Sequence, residues 1–170
     1  IGAVIAQYGS IENASSIDCA TGTTSGNTTC FAAKIADKMN VGLNCATSVS
    51  NCFNSSTTTV INSAVSLSCG YAFTLSNGVS VCFNATAIGN NYLVHFDLDG
   101  VENGFNTLGI DKFTLRYTND GLMFVNGDSR TYNSSFSVSD DEAAWAFYVG
   151  NMDYTKCSGS LKWQTKETCD

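Results

Sequence analysis

The segment from Phe96 to Phe113 reads FDLDGVENGFNTLGIDKF. It gathers Asp97, Asp99, Glu102 and Asp111, the amides Asn103 and Asn106 and three glycines between two strand-like stretches, with Asp120 nine residues further on. Carboxylates this dense are balanced either by a hard cation or by water. An EF-hand loop begun at Asp97 would put Val101 at a ligand position, Glu102 where the invariant glycine belongs and Leu108 where the closing glutamate belongs, so that reading fails. A different calcium loop stays open. Asp97 and Asp99 would give monodentate carboxylates, Asn106 an amide oxygen and Asp111 a closing carboxylate, with main-chain carbonyls and water completing a shell of about six to eight oxygens. The competing reading is a solvated acidic turn whose Asp and Asn side chains bond the local backbone. Calcium is the one cofactor the sequence suggests.

Other chemistry has less support. His95 is the single histidine, with no serine in a G-x-S-x-G setting to serve it. Acidic residues are plentiful, but no spacing singles out a glycosidase-like pair. No Walker or Rossmann glycine pattern occurs. The expectation is a non-catalytic protein.

The eight cysteines are Cys19, Cys30, Cys45, Cys52, Cys69, Cys82, Cys157 and Cys169. None forms a C-x-x-C pair, which sets aside zinc knuckles and haem attachment. An even count without metal spacing reads as four disulfides made in a periplasm, an endoplasmic reticulum or outside the cell. Loop closure favours near neighbours: 19–30, 45–52, 69–82 and 157–169. Each bridge would contribute roughly 2.5–3 kcal/mol through the unfolded state.

Composition agrees with that compartment. Charged residues make up 14% of the 170, well below the usual share of about 25%, and Ser, Thr and Asn cover the surface in their place. Net charge is −7 without a Lys/Arg run, so the chain has no electrostatic footprint for nucleic acid. No apolar run approaches the roughly 20 residues of a membrane span, and no signal peptide is present. With extracytoplasmic chemistry, that implies a mature or trimmed form that has lost an N-terminal segment. Five N-x-S/T sequons, at Asn13, Asn27, Asn54, Asn84 and Asn133, keep a secreted glycoprotein in view.

The elements that must position these residues follow from periodicity. Ile1, Val4, Ile5 and Tyr8 have helical spacing and read as the end of a longer helix stopped by Gly9. Residues 10–29 read as loop. A second helix is predicted over about 29–40, with Phe31, Ile35 and Met39 on one face and Gly42 as its stop. Residues 54–68 read as a polar, irregular connection. Tyr71, Phe73 and Leu75 alternate, as do Val79, Val81 and Phe83. A three-residue turn with Gly78 in the left-handed region keeps both sets on one face, which a two-residue Asn-Gly turn would not. Cys82 then points to the far face, so Cys69 must lie before the strand proper. Further strands are predicted over 92–98, 112–118 and 122–125. The alternation of Phe113, Leu115 and Tyr117 with Lys112, Thr114 and Arg116 predicts an antiparallel sheet with one wet face. A short helix is predicted over 142–149, capped by Asp140 or Asp141, followed by a loop closed by Cys157 and Cys169 around Trp163.

Three blocks together resemble the globular domains of bacterial type IV pilin-like proteins, the prepilin family that includes type II secretion pseudopilins. The first runs from Cys30-Phe31-Ala32 through Asn44-Cys45 to Asn51-Cys52-Phe53. The second is Phe96 to Phe113, similar to D-x-[ND]-G-x3-G-P-N-x2-G-x-D-x-F with Phe105 at the proline position. The third runs from Ala144-Trp145 through Gly150 to Cys157, then to Trp163 and Cys169. The resemblance covers most of the chain from about residue 30. It implies one α+β domain over 1–170. Residues 1–9 would be the end of the N-terminal helix, 10–68 a loop and short-helix region, 69–126 an antiparallel sheet, and 127–170 the C-terminal helix and disulfide loop. It implies a structural subunit of an extracellular filament, with identical or related subunits as partners and membrane contact only through a missing N-terminal helix. A secreted, disulfide-rich adhesin or surface glycoprotein module is the alternative.

Overall fold

The computed structural model describes residues 24–59, 64–84, 92–101, 106–118, 121–125 and 141–157. The expectations for residues 1–23, for Trp163 and for the 157–169 bridge lie outside these residues. Helix α1 spans Thr24–Ala36. It buries Phe31, Ala32, Ile35 and Ala36 as one stripe. The predicted helix over 29–40 is thus corrected at both ends. After Ala36 the Lys38 and Met39 amides bond the Ile35 and Ala36 carbonyls, which tightens the last turn and leaves Met39 exposed. The chain must reverse there because Val41–Ala46 is a strand, β1, with Gly42 inside it and not acting as a helix stop.

Eight more strands follow among the described residues: β2 (Ser56–Thr59), β3 (Ala64–Ser66), β4 (Tyr71–Leu75), β5 (Ser80–Phe83), β6 (Tyr92–Asp97), β7 (Thr107–Leu108), β8 (Lys112–Thr118) and β9 (Gly121–Phe124). They form one sheet in the order β1-β4-β5-β6-β8-β7-β2-β3, with β9 also pairing β8. Helix α2 (Glu142–Val149) and the single turn α3 (Tyr154–Cys157) close the described chain. The fold is α+β, with a large sheet and few helices. No helix among the described residues is long and apolar enough to cross a membrane.

The β4–β5 hairpin has the three-residue turn. Leu75 N–H bonds Val79 O, Phe73 faces Val81 and Gly78 has φ +92°. The connection expected over 54–68 instead holds β2 and β3, whose Thr57 and Thr59 alternate into the interior. Runs of Ser and Thr hid β2, because its inward groups are the hydroxyls of Thr57 and Thr59, and β3 is only three residues long. The sheet therefore begins at residue 41, well before 69. It is not wholly antiparallel either, since β7 runs parallel to both β2 and β8.

The expected wet face is the main correction. One face carries the apolar set Phe73, Val81, Phe83, Tyr92, Val94 and Tyr117 under α1. The other packs Ala72, Cys82 and Leu108 against Cys52, Phe53 and Leu67. Lys112 and Thr114, predicted to point into water, are buried on that second face. Cys52, Phe53 and Leu67 cover this face, and the 45–52 and 69–82 disulfides tie that packing down.

Candidate metal centre

The site is built by β6, β8 and the loop between them. Asp97 ends β6 and Lys112 begins β8 as its direct cross-strand partner. Asp97 accepts the Gly100 N–H through Oδ1 at 3.2 Å, and Gly100 turns the chain with φ +82°. An added Cβ at Gly100 would stand 3.0 Å from the Gly78 carbonyl, so a side chain here would crowd the hairpin as well as incur the left-handed cost. At the far end of the loop Asp111 accepts the Thr107 N–H through Oδ1 at 2.6 Å. Both turns are aspartate-to-backbone clasps of the kind expected for a solvated acidic loop.

Yet the carboxylates point together. One oxygen each from Asp97, Asp99 and Asp111 lies within 4.8 Å of the others. Two oxygens on opposite sides of a calcium ion, each about 2.4 Å from it, stand about 4.8 Å apart, so the spacing fits. Asp97 and Asp111 are buried while Asp99 is exposed. Asp111 Oδ2 and Asn106 Oδ1 are buried oxygens with no hydrogen bond. Asn106 has φ +42°, and its own carbonyl accepts the Thr58 N–H at 2.9 Å and the Thr57 hydroxyl, which ties the loop to β2.

The electrostatics express a surplus of negative charge. Three carboxylates against the Lys112 ammonium leave two negative charges, the charge of one divalent cation. Lys112 Nζ lies 3.6 Å from Asp97 Oδ2, with both side chains fully buried. Burial, a hydrogen bond with Asp99 and the Asp99 and Asp111 charges push the Asp97 carboxyl up to about 6 against the opposing pull of Lys112. Burial lowers the Lys112 ammonium from its ordinary value, opposed by the carboxylates around it. Burial likewise lowers His95 to about 4, against the opposing pull of the nearby Ser68 backbone. His95 Nδ1 lies 2.9 Å from Thr114 Oγ1. It lies inside the disulfide-side packing beside Phe53.

All four residues expected as calcium ligands thus belong to one loop, and three of them converge. Lys112 was missed because the alternation of β8 reads it as solvent-facing. Its position directly after Asp111 was the available signal.

The bridges beside the site are formed at 45–52 and 69–82. Cys30 is disulfide-bonded to a partner outside the described residues, so the 19–30 expectation lies there too. Helix α2 begins at Asp141, which occupies the N-cap position without a side-chain cap bond. From the C-terminal side, Tyr154 donates its hydroxyl to the Gly109 carbonyl at 2.7 Å, and Trp145 Nε1 bonds Asn151 Oδ1 at 2.9 Å. A separate open groove of about 490 Å³ lies between the sheet and α2, lined by apolar residues such as Phe96, Leu115 and Phe147. It offers no acid, base or nucleophile among its lining residues. No protein family, curated protein or solved structure matches this chain.

Proposed function

We propose that the chain is the globular part of a pilin-like subunit of an extracellular filament, non-catalytic, with identical or related subunits as partners. In this reading Asp97, Asp99, Asn106 and Asp111 clip the loop between β6 and β8 around a calcium ion. The observation that carries it is how the residues behind the resemblance are used. Asp97, Gly100, Asn106, Gly109 and Asp111 each have a distinct structural task in one clasp, either a backbone-accepting carboxylate or a positive φ. Tyr154, from the third block, seats on Gly109 of the second. The disulfides support an oxidising, extracytoplasmic setting.

The test of assembly is immunogold labelling of the producing cells with antibody raised to this domain. Label running along surface filaments supports the reading. Label confined to soluble secreted protein overturns it in favour of a secreted binding module. The calcium clip has its own test, the melting temperature in calcium and in chelator. A ligand at about 100 times its dissociation constant stabilises by about 2.7 kcal/mol, a shift of several degrees. Equal melting temperatures would dispose of the clip.

A further inference from the structure

The calcium reading gives Lys112 no task, yet few lysines are held so tightly. Its side chain and that of Asp97 are fully buried, and the two face each other across β6 and β8. Nζ stands 3.6 Å from Asp97 Oδ2, one bond away from the carboxyl carbon that a condensation would attack. The Phe53 ring centroid lies 4.8 Å from Nζ, and the Asn54 carbonyl accepts one of its N–H groups. Asp99, one of whose carboxylate oxygens lies within 4.8 Å of the Asp97 carboxylate, is exposed and connects the pair to solvent. An exposed ion pair exchanges freely with water. This one has its nitrogen and carboxyl fixed by sheet register in a water-poor pocket, next to a second carboxyl.

We propose that Lys112 and Asp97 condense into an intramolecular isopeptide bond that ties β6 to β8. The ammonium gives a proton to the Asp97–Asp99 carboxyl pair. The freed Nζ lone pair attacks Asp97 Cγ, forming one C–N bond. The C–Oδ2 bond breaks, and that oxygen leaves with two of the lysine's three protons as water, relayed outward by Asp99. Asp99 ends as it began. Ammonium plus carboxylate becomes amide plus water, so no oxidant, reductant or cofactor is required. The change removes one positive and one negative charge together. The cluster keeps its two negative charges, and a bound dication no longer has an ammonium beside it. The amide oxygen remains available as a neutral ligand.

This inference does not rest on the filament reading. Its test is the intact mass of the purified, folded protein, after allowance for disulfides and after prolonged incubation with and without calcium. The expected result is a mass below the sequence value by one water molecule, with a branched proteolytic peptide joining the segments around Asp97 and Lys112. Lys112→Arg, which keeps the charge but does not condense, restores the full mass. Asp99→Asn slows the loss. A wild-type protein at full sequence mass, or a lost water mapped to another pair, overturns the proposal. Because the wild-type mass alone decides it, a variant that fails to fold does not leave the question open.

Discussion

On the α1 side of the sheet, Phe31 stacks on Tyr92 with ring centroids 4.5 Å apart and meets Tyr117 edge-on at 5.3 Å. On the opposite side, β6 and β8 present His95, Asp97, Lys112 and Thr114, all buried, near Phe53 and the cysteine-rich segment. Both faces are dry, but they are held differently. The aromatic face gains from area and shape, and any apolar group of the right volume serves it. The polar face gains little net from its ion pair and hydrogen bonds, because each group first had to lose water. What it acquires is fixed position: the Asp97–Lys112 pair and the His95–Thr114 contact form in one strand register only. That is the property a cation clasp or a condensing lysine needs.

The comparison breaks most visibly on the aromatic side. Phe31→Ala removes a fully buried ring at the centre of three aromatic contacts. It is expected to cost about 3–5 kcal/mol in urea denaturation, through lost transfer energy and the cavity left behind. Because the clasp lies on the other face, the stabilisation that the proposed calcium clip predicts should be unchanged in the folded variant. A loss below about 1 kcal/mol would mean that α1 does not anchor this face.

The polar face should answer to pH instead. Burial holds His95 down at about 4 against an ordinary 6.5. Between those values the unfolded chain takes up a proton that the folded one refuses. Stability from this group is therefore complete above pH 6.5 and falls as the pH drops towards 4, by about 3 kcal/mol in all. Asp97, while its carboxyl is free, acts in the opposite direction. Its pKa of about 6 lies above the ordinary 3.8, so its burial costs nothing at low pH and progressively more as the pH rises through that window. The free-carboxyl protein thus shows a partly cancelled pH profile, and the condensed protein shows the His95 limb alone. Urea midpoints taken across this range check the sign, and His95→Gln should flatten the limb. A wild-type profile that instead loses stability as the pH rises would show that Asp97 dominates and is unlinked.

The two faces also differ in how far they could be read from the chain. Alternation in Tyr71–Leu75, Val79–Phe83 and Lys112–Thr118 located three strands of the aromatic face, because apolar side chains repeat with the pleat. The same logic assigned Lys112 and Thr114 to water. Local pattern cannot tell a polar residue facing solvent from one facing residues such as Phe53 and Asn54 that arrive from an earlier part of the chain. Strand β2 stayed hidden for the same reason, its inward positions being Thr57 and Thr59. The acids of the site were legible from their density. Their convergence was what a cation loop implied, but the backbone that brings it about, with Gly100, Asn106 and Gly109 each at positive φ, was not legible.

Those turns allow a finer test of position against mere backbone freedom. Gly78, in the hairpin, and Gly109, in the clasp, have φ of +92° and +84°. Replacing either with alanine incurs the left-handed penalty of about 1–2 kcal/mol. Around Gly78 nothing lies within 4 Å of the new methyl group, so the cost should stop there. At Gly109 the methyl would stand 2.7 Å from Tyr154 Cε2 and 3.1 Å from Glu142 Cβ. The backbone must then shift or the Tyr154 hydroxyl must leave the Gly109 carbonyl, adding about 1–3 kcal/mol of overpacking. Gly109→Ala should therefore be the more destabilised of the two. Under the proposed calcium clip it alone should also lose part of the stabilisation by calcium, because Gly109 lies between Thr107 and Asp111, whose hydrogen bond closes the clasp. Equal losses in the two variants would mean that the clasp depends on backbone freedom alone and gains nothing from the fit of the C-terminal helices against it.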